Sequence, residues 1–410
     1  MQPVTAPGTA PGRAAMPRGR WIWRLSGVAV VLAGTALIGI AAVRAGTFGN
    51  GGFPQSAVPG QAALPTRTVT VPGTVTSLNV TSYGAPIQVS RGSVSLVTVT
   101  ETISFGRPGG PPAVRARVDR GDLTLDAPPC QDTGCSVGFA VTVPASFPEV
   151  TVSASSEGGG VSVSGVAAAN IDSGGGDVDA SAIAGGLTVI SENGGITVVG
   201  AGSASLDSGG GSVAVSGVHG PLTITSENGE IDAHAIGSAV LDSGGGPVSA
   251  SAVLGTLTVT SENGSINVDG AQGANLNSGG GDVVARSIDG PLGATTDNGS
   301  LQVDGLTGPL TADTGGGPLT ASGVTSVTAR VSTDNGSAWI GFAKAPQSVQ
   351  VTTGGGDAVL VLPGGPYAVS AESAGGPELV SVPVSPTSAS IIAVSTGGGE
   401  LQVKPPAAGS

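Results

Sequence analysis

Over residues 151–402 the chain alternates hydrophobic and polar positions in short stretches, which glycine-rich turns interrupt at regular intervals. Ala204 and Leu206 lead into a turn that starts at Ser208, and Val213 leads out of it. A period of two places the hydrophobic residues of a strand on one face. The pattern therefore predicts short β-strands, each with one buried face, joined by tight turns.

The turns recur at a nearly constant spacing, and each begins with Ser or Thr. The spacing is 17 or 18 residues at first and loosens towards the end of the chain. The turn positions are Ser156, Ser173, Ser191, Ser208, Ser226, Ser243, Ser261, Ser278, Thr296, Thr314, Thr333, Thr353, Ser373 and Thr396. A fixed short period with strand-like content is typical of a β-solenoid, in which each rung stacks only on its neighbours.

The predicted fold is all-β, with one transmembrane helix before it. A solenoid of about fourteen rungs, most of 17–20 residues, occupies residues 151–402. Irregular strands over residues 68–150 form an N-terminal β cap, which would cover the open strand edges at that end. Residues 403–410 are a flexible tail.

The Ser/Thr at each turn lies on the same face as the buried residues, because a period of two relates Leu206 to Ser208. We expect these hydroxyls to point inward and to hydrogen-bond along the stack or to the turn backbone. A glycine follows three residues later, and we expect it to need a positive φ. These glycines include Gly176, Gly194, Gly211, Gly229, Gly246 and Gly264.

Two turn sequences alternate, Ser-Gly-Gly-Gly and Ser-Glu-Asn-Gly. The residue after Ser alternates between Gly and an acid, and the residue before it alternates between Asp and an uncharged residue over most of the repeat. Stacked rungs lie about 4.8 Å apart, so like charges on adjacent rungs would be destabilising. Skipping a rung gives about 10 Å, close to the Debye length at moderate salt. We interpret the alternation as a rule that keeps carboxylates two rungs apart.

The carboxylates would form a zigzag along one edge of the solenoid. This zigzag is a candidate edge for Ca²⁺ or Mg²⁺, because both cations take oxygen ligands. Its residues are Asp172, Glu192, Asp207, Glu227, Asp242 and Glu262. The alternative is a solvated edge that only prevents lateral pairing of sheets. The sequence indicates no other cofactor.

Residues Leu25–Val43 contain no charged residue and are long enough to span a bilayer core of about 30 Å. Four arginines precede them and only Arg44 follows directly, so the N-terminal stub 1–24 is predicted to be cytoplasmic and the body extracytoplasmic. A cleaved signal peptide is the competing interpretation. Residues 44–67, rich in Pro, Gly and Ala, read as a linker to the body.

The two cysteines of the chain, Cys130 and Cys135, lie in a turn-rich loop. In an oxidising compartment we expect them to form a small disulfide. Two cysteines with no nearby His would make a poor zinc site.

Charge and composition narrow the function classes. From Thr151 to Ile340 there are eighteen acidic residues and only two basic ones, Arg286 and Arg330. Such an acidic surface argues against a nucleic-acid partner, because phosphate binding needs a basic face. The only histidines, His219 and His234, occupy no repeated position and indicate no Ser-His-Asp set. The sequence therefore predicts neither an enzyme nor a small-molecule substrate.

The stretch FAVTVPASFPEVTVSASSEGGGVSVSG, followed by DSGGGDVDAS-like units, resembles the bacterial putative-adhesin family, also called the toastrack domain. Thr142, Val143 and Pro144 match its Val-Pro strand end, and the turns from Ser156 onward match its repeat. The resemblance covers roughly residues 68–400 and implies a β-solenoid of the cell envelope with no catalytic residues. The strict alternation of the two turn sequences departs from the usual family pattern.

These observations predict a non-enzymatic structural or interaction protein of the bacterial cell envelope. It would be adhesin-like, held by a single membrane span, with an envelope protein or surface polymer as partner. One alternative is envelope-stress sensing beside a membrane regulator, through the stub 1–24. Another is a polymer-forming scaffold resembling bactofilins, against which the N-terminal cap and the Pro-rich C-terminal end argue.

Overall fold

The computed structural model describes residues 61–407, apart from 107–109, 128, 130–133 and 148. Within these residues the regular structure consists of β-strands, and no helix is present that is long and apolar enough to cross a membrane. The predicted span Leu25–Val43 lies outside the described residues and stays a prediction.

The strands fall into three groups along the chain. The first group is β1 (Gln61–Ala63), β2 (Arg67–Val71), β3 (Ser77–Ser82), β4 (Gly84–Gly92), β5 (Val97–Gly106), β6 (Arg115–Asp119), β7 (Asp122–Asp126) and β8 (Ser136–Pro144). The last group, after β28, is β29 (Ala368–Ser373), β30 (Glu378–Val380), β31 (Ile391–Thr396) and β32 (Leu401–Lys404).

The middle group forms the regular repeat. Its strands are β9 (Thr151–Ser156), β10 (Val161–Ser164), β11 (Ala168–Ser173), β12 (Val178–Ser191), β13 (Ile196–Ser208), β14 (Val213–Val218), β15 (Leu222–Ser226), β16 (Ile231–Ile236), β17 (Ala239–Ser243), β18 (Val248–Ser261), β19 (Ile266–Ser278), β20 (Val283–Ile288), β21 (Leu292–Thr296), β22 (Leu301–Leu306), β23 (Leu310–Thr314), β24 (Leu319–Val324), β25 (Thr328–Thr333), β26 (Ala338–Phe342), β27 (Ser348–Thr353) and β28 (Ala358–Val361).

Each rung contributes one strand to each of two parallel ladders. A leading strand ends at the Ser/Thr turn, and a trailing strand begins after the turn; long strands such as β12 supply a trailing half and then the next leading half. In the leading ladder Ser173 pairs with Ser156, and Ser191 pairs with Ser173 and Ser208. The same register continues in chain order to Thr353, over about twelve turns. The predicted all-β solenoid is confirmed.

The last two rungs do not stack in chain order. Strand β31 lies between β27 and β29, and β32 lies between β28 and β30. The rung that turns at Thr396 is therefore inserted beneath the rung that turns at Ser373. Of the about fourteen predicted rungs, about twelve therefore stack in chain order.

The N-terminal end has the same kind of exchange. Strand β3 lies between β7 and β9, and β4 lies between β8 and β10. The cap thus adds two rungs to the parallel stack before β9, one made of β3 and β4 and one made of β7 and β8. Antiparallel strands cover these layers: β5 pairs with β8, β2 and β1 pair with β5, and β6 pairs with β7.

The core is a set of aliphatic columns that run along the stack. Equivalent residues of successive leading strands, such as Leu206, Ile224, Leu241 and Val259, are at most 2% exposed. The parallel registers place each of them directly beside the next. Complete burial of one such side chain contributes about 1.5–3 kcal/mol, so the columns supply most of the driving force.

The turn glycines differ from their prediction. Gly176, Gly194, Gly211, Gly229, Gly246 and Gly264 are absent from the residues with positive φ. A Cβ on Gly211 would instead lie 2.0 Å from the carbonyl oxygen of Gly194 on the preceding rung. These turn positions need glycine because the backbones of adjacent turns approach each other closely. The preference of tight turns for Asn-Gly and Gly-Gly does not reveal this constraint.

Positive φ occurs at the opposite corner, where each trailing strand turns towards the next leading strand. Gly200 and Gly217 have φ values of 77° and 69° there. Four rungs carry a side chain in the same conformation, namely Ala182, Ala235, Ala252 and Ser287. The left-handed region costs a non-glycine residue roughly 1–2 kcal/mol, so the stack holds these corners in place against a local preference.

Candidate functional site

The repeated turn is held by its Ser/Thr column. These hydroxyl residues are buried throughout the regular repeat. In most turns the side-chain oxygen donates a hydrogen bond to the backbone carbonyl oxygen three residues later. Ser173 reaches Gly176 O at 2.6 Å, and Ser243 reaches Gly246 O at 2.7 Å. The predicted inward orientation and the bond to turn backbone are confirmed.

One turn breaks this pattern. The Oγ of Ser261 is buried and has no hydrogen-bond partner among the described residues. Its usual acceptor, Gly264 O, is instead 3.4 Å from the Oγ of Ser278 on the next rung.

Replacing Ser243 or Ser261 by Ala is expected to give different results. Ser243→Ala removes a buried hydrogen bond and should lower the free energy of unfolding by about 1 kcal/mol. Ser261→Ala removes a hydroxyl that has no partner and should leave stability unchanged or slightly raise it. Thermal melting of the two variants measures this difference, and equal losses would contradict the assigned bonds.

The alternating turn sequences have a steric cause. On Ser-Gly-Gly-Gly turns the residue after Ser must be glycine, because a Cβ on Gly209 would lie 2.4 Å from the carbonyl oxygen of Glu192. Gly244 and Gly279 are in the same position relative to the preceding Glu turns, at 2.5 and 2.4 Å. The acidic residues do alternate as the sequence predicts. The glycine that follows Ser in every second turn is explained by the close contact with the backbone of the preceding turn.

Gly209→Ala therefore should cost about 2 kcal/mol, since the blocking atom is backbone and cannot rotate away. Glu192→Ala on the preceding rung should change stability by less than about 0.5 kcal/mol, because that side chain is exposed. Denaturant unfolding compares the two. A neutral Gly209→Ala would contradict the steric cause of the alternation.

The register shows where the predicted cation edge lies. Asp172 pairs with Ile190, which pairs with Asp207, so these aspartates are two rungs apart and exposed. Glu192, Glu227, Asp242 and Glu262 continue the same exposed edge. Within the described parts of the chain, no three His, Cys, Asp or Glu side chains come together in a way that could hold a metal ion. The structure aligns the six carboxylates but does not gather them, and cation binding stays a prediction.

A second column of carboxylates has a role that sequence reasoning missed. Asp177 Oδ1 accepts a hydrogen bond of 2.9 Å from the backbone N–H of Gly195, and Asp357 Oδ1 accepts one of 2.8 Å from Glu400. Asp282 Oδ1 accepts from both the N–H and the Oγ of Ser300, at 2.7 and 2.8 Å. Each acid caps the turn of the next rung in the stack. The signal was available, because each Asp directly follows three glycines.

These hydrogen bonds favour the ionised carboxylate of Asp282. The backbone N–H of Ser300 has the largest effect and its hydroxyl the next, and together they hold the pKa of Asp282 below its usual value. Acid should therefore weaken this cap, because its contribution is present above the unfolded-state pKa and is lost as pH falls through the lower folded-state pKa.

The structure also brings His234 and Ser251 together. Their Nδ1 and Oγ atoms lie 2.9 Å apart on the outer surface of the trailing ladder. A catalytic Ser–His pair also needs a third group to orient the imidazole. Among the described residues His234 has no second hydrogen-bond partner, so the contact links two rungs and does not assemble a triad.

Of the cap acids that the structure describes, Glu101 is the one that is buried, at 7% exposed. It lies on β5, directly across from Arg67 on β2 and Phe139 on β8. Burial raises the pKa of the Glu101 carboxyl, and the positive charge of Arg67 partly offsets this.

The raised pKa predicts a pH dependence of stability. The folded state holds this proton to higher pH than the unfolded state, so the contribution of Glu101 is most favourable at and below the unfolded-state pKa and falls as pH rises through the folded-state value. Glu101→Gln should therefore melt at a higher temperature than the unaltered protein at pH 7, with the gap closing towards pH 4. A variant that is less stable at pH 7 would show instead that the Arg67 pairing dominates.

Cys130 lies outside the described residues, so the predicted disulfide between Cys130 and Cys135 stays a prediction.

Comparisons with known proteins give matches only among solved structures, since no family model and no curated protein matches the chain. A structure described as a putative adhesin from Bacteroides fragilis NCTC 9343 is 11% identical, covers 84% of this chain and 97% of its own, and has a TM-score of 0.19. A putative adhesin from Parabacteroides distasonis ATCC 8503 is 14% identical, covers 73% and 96%, and has a TM-score of 0.24.

A putative cell adhesion protein from Clostridium sporogenes ATCC 15579 is 8% identical, covers 83% of this chain and 99% of its own, and has a TM-score of 0.18. The chain is an all-β solenoid with a buried Ser/Thr column and an acidic turn edge, and it is similar to solved structures described as putative adhesins and as a putative cell adhesion protein.

Proposed function

We propose that this chain is a non-enzymatic structural and interaction protein of the bacterial cell envelope, adhesin-like in that it presents its outer strand faces to a partner. In this proposal Leu25–Val43 anchors it and residues 68–402 lie outside the cytoplasm. The hydrophobic segment with its preceding arginines supports the location.

The observation that carries the interaction role is the strict parallel register. It places equivalent outward residues of successive rungs in columns, so that each ladder is a long, regular outer face. Thr223 and Thr260 are among the exposed residues of the leading face, and Thr258 is half-buried there. A repetitive polar face suits a repetitive partner better than a single small molecule, which binds in a concave site.

The outermost C-terminal rung argues against the alternative that the protein forms a polymer by end-to-end stacking. Its strands β29 and β30 have a parallel neighbour on one side only. Glu372, Pro377 and Glu378 lie on this rung and are exposed, and charged residues and proline at an edge oppose pairing with another copy. Filaments of the purified protein in electron microscopy would overturn this preference for an interaction role.

Two measurements on a bacterial host test the proposal. Protease added to intact cells should digest a C-terminally tagged full chain, whereas a matched variant that lacks Leu25–Val43 should be protected inside the cell. Cells that display the full chain should also retain more of an envelope or surface partner than cells with the variant. Protection of the full chain would contradict the location, and equal retention would contradict the interaction role.

A further inference from the structure

Trp339 stands on the outer surface of the trailing ladder. It lies on β26 between the buried residues Ala338 and Ile340, and 37% of it is exposed. The other two tryptophans of the sequence, Trp21 and Trp23, lie outside the described residues. An exposed indole on a face made mainly of small and polar residues is not needed by the core.

The indole covers a space that a glycine leaves open. A Cβ on Gly341, two residues further along the same face, would lie 2.7 Å from Cη2 of Trp339 and 3.2 Å from Cζ3. The six-membered ring therefore lies over Gly341, against the sheet. Any side chain at position 341 would displace the ring from this place.

Polar groups flank the ring on the preceding rungs. Thr320 lies one rung from Trp339 and Gln302 lies two rungs away, at steps of about 4.8 Å. In the next outward column Ser322 Oγ donates a 2.8 Å hydrogen bond to Asp304 Oδ1. The indole thus shares one outer face with a hydroxyl on the next rung and with a carboxamide and an oriented carboxylate two rungs away.

We propose that Trp339 and the polar side chains of the two preceding rungs form a platform for a neutral polysaccharide. Trp339 stacks on the C–H face of one pyranose ring, while Thr320, Gln302 and Asp304 hydrogen-bond to hydroxyl groups of the neighbouring units. A pyranose unit advances a polysaccharide by a distance similar to one rung, so successive sugars meet successive rungs. This inference rests on the proposed interaction role and names the class of its partner.

The negative charge of the surface favours a neutral polysaccharide over an anionic one. The solenoid carries few basic residues, and the platform itself includes Asp304, so a polyanionic chain would be repelled. A protein partner fits the surface less well. Stable protein interfaces bury about 800 Å² on each side around an apolar centre, whereas the apolar neighbours of Trp339 are the half-buried Val359 and Val361.

Affinity electrophoresis of the full chain in detergent tests the platform. The gels contain a neutral glucan, a mannan, a xylan, soluble chitin oligosaccharides or, as the charged arm, alginate. At least one neutral glycan is expected to retard the protein, and alginate is not. Trp339→Ala should weaken that retardation at least tenfold. Gly341→Ser, which displaces the ring, should also weaken it.

The control variant is Val240→Ala, which removes an exposed apolar residue from the leading face and should bind like the unaltered protein. Melting temperatures of all variants should agree, because none of these positions is in the core. No retardation by any neutral glycan, retardation by alginate alone, or full binding by Trp339→Ala would overturn the platform. Cell-surface retention of a partner in the host assay would persist in those cases, so the failure of this inference is distinguishable from the failure of the proposed function.

Discussion

Gly211→Ala is expected to destabilise the protein by about 3 kcal/mol or more. The added Cβ would lie 2.0 Å from Gly194 O and 2.4 Å from Gly194 C, both backbone atoms of the preceding rung. Neither the turn of Gly211 nor that of Gly194 can shift alone, since each is paired to further rungs on its other side. Overpacking in a protein core usually costs about 1–3 kcal/mol. The cost should lie at or above the upper end here, because the atoms in the way of the added Cβ are backbone atoms and no side-chain rotation can relieve the clash.

The neighbouring glycine of the same turn is the matched control. A Cβ on Gly210 would lie 3.9 Å from its nearest neighbours, Asn193 Oδ1 and Glu192 O, which is ordinary contact. Gly210→Ala should therefore leave the denaturant midpoint unchanged. Hydrogen exchange should locate the damage of Gly211→Ala in the rungs next to it, because solenoid stability is set mainly between neighbours. Equal stability of the two variants would show that the turns can separate.

Removal of residues 391–410 should release the whole C-terminal end of the solenoid. Strand β31 joins β27 to β29, with Ile391 N–H donating to Gln347 O on one side and Ala368 N–H donating to Ser390 O at its border on the other. The segment also buries Ile392, Val394, Leu401 and Val403. Burial of four aliphatic side chains contributes on the order of 6–12 kcal/mol before the entropy of ordering is subtracted.

The expected result is that residues 364–390 become sensitive to limited proteolysis, although they precede the cut. The newly exposed edges of β27 and β28 should also make the truncated protein self-associate in sedimentation experiments. Truncation after Lys404 is the control, because it keeps β31 and β32 and removes only residues that follow the last strand. If residues 364–390 stayed resistant after the longer truncation, the rung of Ser373 would be able to stack in chain order without the inserted one.

The regular repeat was predictable because its signals are local and recur many times. The period of two and the spacing of the Ser/Thr turns located the strands, the buried hydroxyl column and the rung-to-rung register from Ser156 to Thr353. Each signal depends on a rung and its immediate neighbour, which sequence spacing describes directly. The candidate cation edge was located in the same way, but its side chains do not converge on one point.

The turn glycines show that local sequence preferences do not predict contacts between rungs. Asn-Gly and Gly-Gly are typical of turns with positive φ, and this led to the wrong conformation for Gly211 and its equivalents. The true constraint is the distance between two backbones on different rungs. The left-handed residues are at the other corner, where Ala235 and Ser287 carry no glycine signal at all.

The amino-acid sequence alone predicts the all-β class, the solenoid repeat, the face on which each residue lies and the charge of the surface. These follow from periodicity and composition, which are properties of the linear chain. The folded structure is needed to see the exchanged order of rungs at both ends, the contact that forces glycine into alternate turns and the place of Trp339 over Gly341. Each of these depends on which backbone segments become neighbours in space, and the spacing of residues along the chain does not describe that.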